Sequence, residues 1–143
     1  MAFWDTSALL PLCAHLPQTA LVRRLVRGDE QMTVWWGTSV ELSSALARLL
    51  REDAVTAETH RSAVGRLNAL RGTWYEVPPT EQVRGLAESI PERYGLRALD
   101  AFQLAAALVW CDERPRRRQF VCFDRRLGDT ASRIGFTVTG TRP

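Results

Sequence analysis

The sequence predicts an α/β fold in which a central, mainly parallel β-sheet is flanked by helices on both faces. Short apolar runs alternate with longer segments whose apolar residues recur at helical spacing. Because this alternation continues along the whole chain, each strand is followed by a helix that leads to a parallel neighbour. With 143 residues, 45% of them hydrophobic, the chain is expected to form a single domain, residues 1–143, around its own core.

The first strand and two helices are predicted near the N-terminus. The apolar run 2–4 is typical of a strand, and the polar residues 5–7 can cap a helix that starts at 8–10. A second helix is predicted over 17–27, where apolar residues form a stripe that Gly28 ends.

The middle of the chain repeats the pattern. The run 32–36 is rich in residues with high β-propensity. After it, apolar residues recur at helical spacing from a cap at Thr38 or Ser39 up to Leu50. Another helix is predicted over 56–70, followed by a strand at 74–77.

The last part of the chain contains the most apolar segment. A helix is predicted from Glu81 to Ser89, and Pro91 is expected to interrupt it. The segment 97–112 predicts a buried helix. The remaining predicted elements are a strand at 120–123, a helix at 124–134 and a strand at 136–138.

Composition excludes several classes of protein. All 19 basic residues are arginine, which excludes the usual forms of Walker-type phosphate loops, Schiff-base enzymes and two-component receivers, because each needs a lysine. Three cysteines without Cys-x-x-Cys spacing predict neither a disulfide framework nor a zinc site. No signal peptide or membrane-spanning run is recognisable, so we expect a cytoplasmic protein without membrane association.

Two aspartates occupy equivalent local positions. Asp5 and Asp124 each follow an apolar strand directly and precede a helix. Because the carboxyl ends of parallel strands meet at one edge of a sheet, the two side chains are predicted to converge. The alternative is that each simply caps its helix, and the sequence does not separate the two interpretations.

Two further acids lie near the starts of predicted helices. Asp100 has almost entirely apolar neighbours, and a partly buried carboxylate is costly unless it is paired or binds a cation. Its alternative role is a first-turn residue favoured by the helix dipole and paired with Arg97. Glu41 lies at the edge of an apolar stripe, and the helix dipole alone could also explain it, so its assignment to a site depends on the other three acids.

Taken together, Asp5, Glu41, Asp100 and Asp124 predict a site for Mg²⁺ or Mn²⁺. These cations prefer hard oxygen ligands and are often held by a few carboxylates and a substrate phosphate. A cation placed there can activate a water and stabilise the leaving oxygen of a phosphodiester. The predicted reaction is therefore phosphodiester hydrolysis.

Four segments carry a resemblance to a known family: residues 3–10, 40–48, 96–105 and 120–127. In order and spacing they resemble the PIN-domain ribonucleases, most closely the VapC-type toxins of bacterial toxin–antitoxin pairs. The resemblance extends over essentially the whole chain.

This resemblance implies a PIN-like fold, dependence on Mg²⁺ or Mn²⁺, and endonucleolytic cleavage of RNA by the four acids, which would be both catalytic and metal-binding. It implies that Thr6 or Ser7 orients Asp5 or a water on the cation, with helix capping as the alternative. It also implies two protein partners, since similar toxins form homodimers and are neutralised by an antitoxin whose peptide occupies the active-site groove.

One position differs from the family pattern, and at another the identity of the fourth acid is open. Gln103 stands where many relatives carry histidine, although this position is not an expected metal ligand. Asp129 follows Asp124 in the same helical segment and is an alternative fourth acid; a solvated helix residue is the preferred interpretation.

Arginines and tryptophans are candidates for RNA contacts. The candidate phosphate-binding residues are Arg97, Arg114, Arg116, Arg117, Arg118, Arg125 and Arg126. A solvated basic turn is the alternative for the run 114–118. The candidates for base stacking are Trp35, Trp36, Trp74 and Trp110, for which core or subunit packing is preferred.

Two other functions remain open at this point. A catalytically silent PIN-like module that binds RNA or protein would keep the fold without the reaction. A haloacid-dehalogenase-type phosphatase also uses an aspartate after its first strand, but it needs a second aspartate two residues later, where this chain has Ser7, and a lysine.

Overall fold

The computed structural model describes residues 1–140, which form a five-stranded sheet with helices on both faces. The strands are β1 (Ala2–Trp4), β2 (Met32–Trp35), β3 (Tyr75–Val77), β4 (Gln119–Cys122) and β5 (Thr137–Gly140). The helices are α1 (Thr6–Cys13), α2 (Thr19–Gly28), α3 (Thr38–Arg51), α4 (Ala57–Arg71), α5 (Glu81–Tyr94), α6 (Ala98–Trp110) and α7 (Arg125–Ile134).

The strands follow the order β3-β2-β1-β4-β5, and every pairing is parallel. The central strand is β1, in which Phe3 pairs with Thr33 on one side and with Phe120 on the other. The carboxyl ends of β1, β2 and β4 are therefore neighbours at one edge of the sheet, which we call the carboxyl edge.

Alternate residues of the central strands point into two separate cores. Phe3 and Phe120 pack with α5, α6 and α7 on one face. Trp4, Val34 and Val121 pack with α1 to α4 on the other. Because both faces of the central strands are covered, β1, β2 and β4 are mostly apolar and buried, as is usual in a parallel sheet, whereas the edge strands β3 and β5 are more polar and exposed.

The prediction that Pro91 interrupts a helix is wrong. Helix α5 includes Pro91 and continues to Tyr94, where Gly95 ends it with a φ of 70°. Proline removes one backbone hydrogen bond, but Ile90 is buried in the core and Tyr94 packs against it, so tertiary contacts maintain the last turn. Within residues 1–140, no helix is both long and apolar enough to cross a membrane.

Candidate active site

The four predicted acids occupy the carboxyl edge. Asp5 follows β1 and is the N-cap of α1, while Asp124 follows β4 and is the N-cap of α7. Glu41 lies in the first turn of α3, which follows β2, and Asp100 lies in the first turn of α6. The parallel order of the strands thus gathers residues that are far apart in sequence.

Helix capping involves only one carboxylate oxygen of Asp5 and one of Asp124. One oxygen of Asp5, Oδ2, accepts a hydrogen bond of 3.0 Å from the backbone N–H of Ser7. In the same way, Oδ1 of Asp124 accepts one of 2.8 Å from the N–H of Leu127. The second oxygen of each carboxylate receives no hydrogen bond from another described residue, so capping leaves it available to a ligand.

Hydrogen bonds of the Ser7 hydroxyl connect Asp5 to the residues that follow β4. Its hydroxyl donates to Oδ2 of Asp5 and accepts hydrogen bonds from the backbone N–H groups of Phe123, at 2.9 Å, and Asp124, at 3.1 Å. The thiol of Cys122 also donates to Oδ2, at 3.5 Å. Asp5, only 4% exposed, is therefore held in one orientation beside Asp124.

Thr6 acts on a different acid. Its hydroxyl donates to Oε2 of Glu41 at 2.9 Å and accepts from Nε2 of Gln103, also at 2.9 Å. The resemblance implied that Thr6 or Ser7 orients Asp5 or a water on the cation, and of these two residues it is Ser7 that contacts Asp5. Gln103 was not recognised as part of the site, although a glutamine one turn after Asp100 in so apolar a helix was a usable signal.

Burial and neighbouring negative charges raise the pKa values of Asp5, Glu41 and Asp100. Burial raises the pKa of Glu41 to about 7, and the negative charges of Asp5 and Asp100 add to this rise. Burial and then the charge of Asp124 raise the pKa of Asp5, despite the opposing hydrogen bonds from Ser7. Burial followed by the charges of Asp124 and Asp5 raises the pKa of Asp100. Each of the four acids therefore lies close enough to at least one other acid for their charges to interact.

Arginines near these acids do not form ion pairs with them within the described residues. Arg97 and Arg126 lower the pKa of Asp100, which places both guanidinium groups near the carboxyl edge. The alternative of a direct Arg97–Asp100 pair is absent from residues 1–140. Arg125 lies 3.9 Å from Asp129, and both side chains are solvent-exposed.

Asp129 lies apart from the other acids on the exposed side of α7. Among residues 1–140 its carboxylate meets only the guanidinium of Arg125, and its charge is not among those that perturb Asp5, Glu41 or Asp100. This arrangement matches the interpretation of Asp129 as a solvated helix residue.

The basic run 114–118 lies at the opposite edge of the sheet. It precedes β4, whereas Asp5 and Asp124 follow strands, so its arginines stand near the amino ends of the strands. Within it, the Arg118 guanidinium lies 5.5 Å from the ring centre of Trp110. Arg116, Arg117 and Arg118 therefore cannot contact the same phosphate as the acids. The order of loop and strand in the sequence already contained this information.

An aromatic groove of about 440 Å³ adjoins Glu41. Trp35 is buried and stacks on Phe102 with ring centres 5.3 Å apart, whereas Trp36 is 54% exposed. Val40 and Leu99 add exposed apolar surface beside it. Of the four tryptophans considered for base stacking, Trp36 is thus the one whose ring is most open to a partner.

The carboxylate oxygens at the carboxyl edge are the type of ligand that a hard divalent cation prefers. Four carboxylates face one edge, and those of Asp5 and Asp124 each retain an oxygen without a hydrogen bond from a described residue. They do not form a closed site, because no three His, Cys, Asp or Glu side chains in residues 1–140 are arranged to hold one metal ion. The exposed Asp124 and half-buried Asp100 are the acids freest to change rotamer.

Comparison with known proteins identifies the fold. No family model and no curated protein matches the chain. A toxin–antitoxin complex from Klebsiella pneumoniae matches with a TM-score of 0.63 and 14% identity, covering 87% of both chains. FitAcB from Neisseria gonorrhoeae matches with a TM-score of 0.64 and 17% identity, covering 96% of both chains. The predicted PIN-like α/β fold, with a parallel sheet flanked by helices, is confirmed.

Proposed function

We propose that this protein is a metal-dependent endoribonuclease that hydrolyses RNA phosphodiesters, and that it is the toxin of a toxin–antitoxin pair. The observation that carries the proposal is the set of four carboxylates at the carboxyl edge, three of which have raised pKa values. Crowded acids without neighbouring ion pairs are unfavourable unless a cation compensates them.

The residues that would hold Mg²⁺ or Mn²⁺ are Asp5, Glu41, Asp100 and Asp124. When bound, such a cation neutralises phosphate charge and lowers the pKa of water at the scissile bond. Ser7 and Thr6 hold the carboxylates of Asp5 and Glu41, respectively, in fixed orientations.

Nearby arginines are suited to binding the substrate. Arg97, Arg125 and Arg126 are exposed on the same edge and would bind RNA phosphates on either side of the scissile bond. The arginines of the run 114–118 would contact only distant parts of a long RNA, since they lie at the other edge of the sheet.

Protein partners are part of the proposal. One structure with the same fold is a toxin–antitoxin complex, which supports a cognate antitoxin for this chain, with both acting in the cytoplasm. The exposed Trp36, Val40 and Leu99 beside Glu41 support a homodimer, because large apolar side chains grouped on a surface favour protein contacts. Light scattering after gel filtration measures that state directly.

Two other functions fit the structure less well. A haloacid-dehalogenase-type phosphatase would need an aspartate at position 7, but Ser7 is engaged there in fixing Asp5. A catalytically silent module would not need four carboxylates kept together against their mutual repulsion. The silent module is the stronger of these two alternatives because it shares the fold.

The decisive experiment is an RNA-cleavage assay with end-labelled single-stranded and structured RNAs. The native chain is compared with Asp5→Asn and Asp100→Asn, in Mg²⁺, Mn²⁺ or EDTA. Asp129→Asn is the matched control, because it removes an acid from α7 outside the cluster. We expect cleavage only with a metal, loss of more than about 100-fold in both site variants, and native activity in the control.

The possible results separate the hypotheses. Undiminished cleavage by both site variants would refute the proposed site. RNA binding without cleavage by the native chain would favour the silent module, and hydrolysis of phosphomonoesters alone would favour the phosphatase. For the toxin role, induced expression should arrest growth and co-expression of the antitoxin should restore it.

A further inference from the structure

The buried amide of Gln103 joins three helices at the carboxyl edge. Gln103 lies on α6, one turn after Asp100, and is only 1% exposed. Its Nε2 is 2.9 Å from Oγ1 of Thr6 on α1, 3.1 Å from Oγ1 of Thr38 and 3.3 Å from Oε1 of Glu41, both on α3. One side chain thus connects the helices that carry or follow three of the four acids.

The partners dictate which end of the amide faces the acids. The single hydroxyl proton of Thr6 is directed at Oε2 of Glu41, so its oxygen can only accept from Gln103. In its ionised form, the form that binds a cation, the Glu41 carboxylate also only accepts. The nitrogen of Gln103 must therefore point towards both, since the reversed amide would set its oxygen against a carboxylate oxygen.

This orientation leaves the other end of the amide unsatisfied. Oε1 of Gln103 is buried and has no donor among the described residues. Native proteins rarely keep such an atom, because the desolvated oxygen loses its hydrogen bonds to water. An apolar residue of the same shape would avoid this loss, so packing alone does not account for glutamine at this position.

We propose that Gln103 is a positioning residue that holds the Glu41 carboxylate in the orientation from which it binds the divalent cation. The two protons of Gln103 Nε2 serve three acceptors, so at least one proton is shared, and the contact with Oε1 of Glu41 at 3.3 Å is the longest. Together with the hydrogen bond from Thr6 to Oε2, this contact restricts the rotamer freedom of Glu41 before any ligand arrives. Gln103 itself touches neither cation nor RNA. The inference rests on the proposed function of the site.

The test replaces Gln103 with methionine, which has a similar length and no hydrogen-bond donor. Mn²⁺ affinity is measured by electron paramagnetic resonance of the free ion, without RNA and independently of cleavage. We expect about a 10-fold weaker affinity in Gln103→Met, in line with the loss of other residues that orient metal ligands. The control Gln82→Met makes the same change at an exposed position of α5 and should bind as the native chain does.

Rescue by a variant that keeps a donor distinguishes positioning from a merely structural role. Gln103→Met removes the hydrogen bonds of Nε2 together with the unsatisfied oxygen, so we expect its unfolding midpoint in EDTA to lie below the native value. Gln103→His retains a ring N–H donor and should recover Mn²⁺ affinity to within about threefold of native, since the donor rather than the amide is required.

The results distinguish failure of the inference about Gln103 from failure of the proposed function. Native Mn²⁺ affinity in Gln103→Met, with native RNA cleavage intact, overturns the inference alone. If the native chain binds no Mn²⁺, both the inference and the proposed metal site fail. Should Gln103→Met not fold, Gln103→His decides: affinity close to native supports the role of the donor, and a loss of more than about 10-fold refutes it.

Discussion

Replacing Glu41 with glutamine tests how the acids perturb one another. Burial and the charges of Asp5 and Asp100 raise the pKa of Glu41 to about 7, from an ordinary value of 4.5. The folded chain therefore binds this proton more tightly than the unfolded chain does. The contribution of Glu41 to stability is fully present below pH 4.5 and is lost as the pH rises through 7.

The expected magnitude follows from this difference in pKa. At about 1.4 kcal/mol per pKa unit, ionisation of Glu41 destabilises the native chain by about 3 kcal/mol at pH 8. The glutamine side chain carries no charge, so this loss disappears in Glu41→Gln. The variant has one acceptor oxygen for two donors, Thr6 and Gln103, so it also loses one hydrogen bond, at a cost of about 1 kcal/mol at every pH.

The assay is urea unfolding in EDTA at pH 5 and pH 8, for the native chain and for Glu41→Gln. The unfolding free energy of Glu41→Gln minus that of the native chain should be about 2 to 3 kcal/mol larger at pH 8 than at pH 5. The cost of the lost hydrogen bond is the same at both pH values, so it cancels when the two differences are compared. Glu92→Gln, an exposed substitution on α5, serves as the control and should show no such change.

A relative stability that is the same at both pH values would refute the reasoning. It would mean that Glu41 ionises in the folded chain much as it does in the unfolded one. The acids would then lie too far apart, or too open to solvent, to require a cation.

Three other predictions follow from the site. Ser7→Ala removes the hydroxyl between Asp5 and the end of β4, so the unfolding free energy should fall by about 1 to 3 kcal/mol in urea titrations; unchanged stability would contradict this. Mn²⁺ at 100 times its Kd should raise native stability by about 2.7 kcal/mol, an increase that calorimetry should not find with Asp5→Asn. Arg126→Ala should lower the slope of log affinity against log salt concentration for a short RNA by an amount that corresponds to about one phosphate contact. An equal decrease in Arg117→Ala would contradict the placement of the run 114–118 at the opposite edge.

The sequence alone predicted the fold class and the order of nearly every element. Strands and helices arise from local periodicity, which can be recognised without knowledge of the tertiary structure. The positions of Asp5 and Asp124 after strands were enough to predict convergence, because parallel strands align their carboxyl ends. The exception was Pro91, where buried neighbours on α5 outweighed a local signal.

The roles of individual side chains were decided by the tertiary structure. Thr6 and Ser7 are adjacent in sequence, yet one contacts Glu41 and the other Asp5, because successive residues of α1 face different helices and strands. Gln103 lies 62 residues from Glu41, and no local pattern links them.

The physical reason is the range of the interactions. Backbone hydrogen bonding and apolar periodicity act over a few residues, so a sequence determines its elements largely by itself. Burial, charge repulsion and side-chain hydrogen bonds depend on which elements become neighbours. At the carboxyl edge, the chain order determined that Asp5 and Asp124 follow strands, and only the packed structure decided that the pKa values of Asp5, Glu41 and Asp100 are raised.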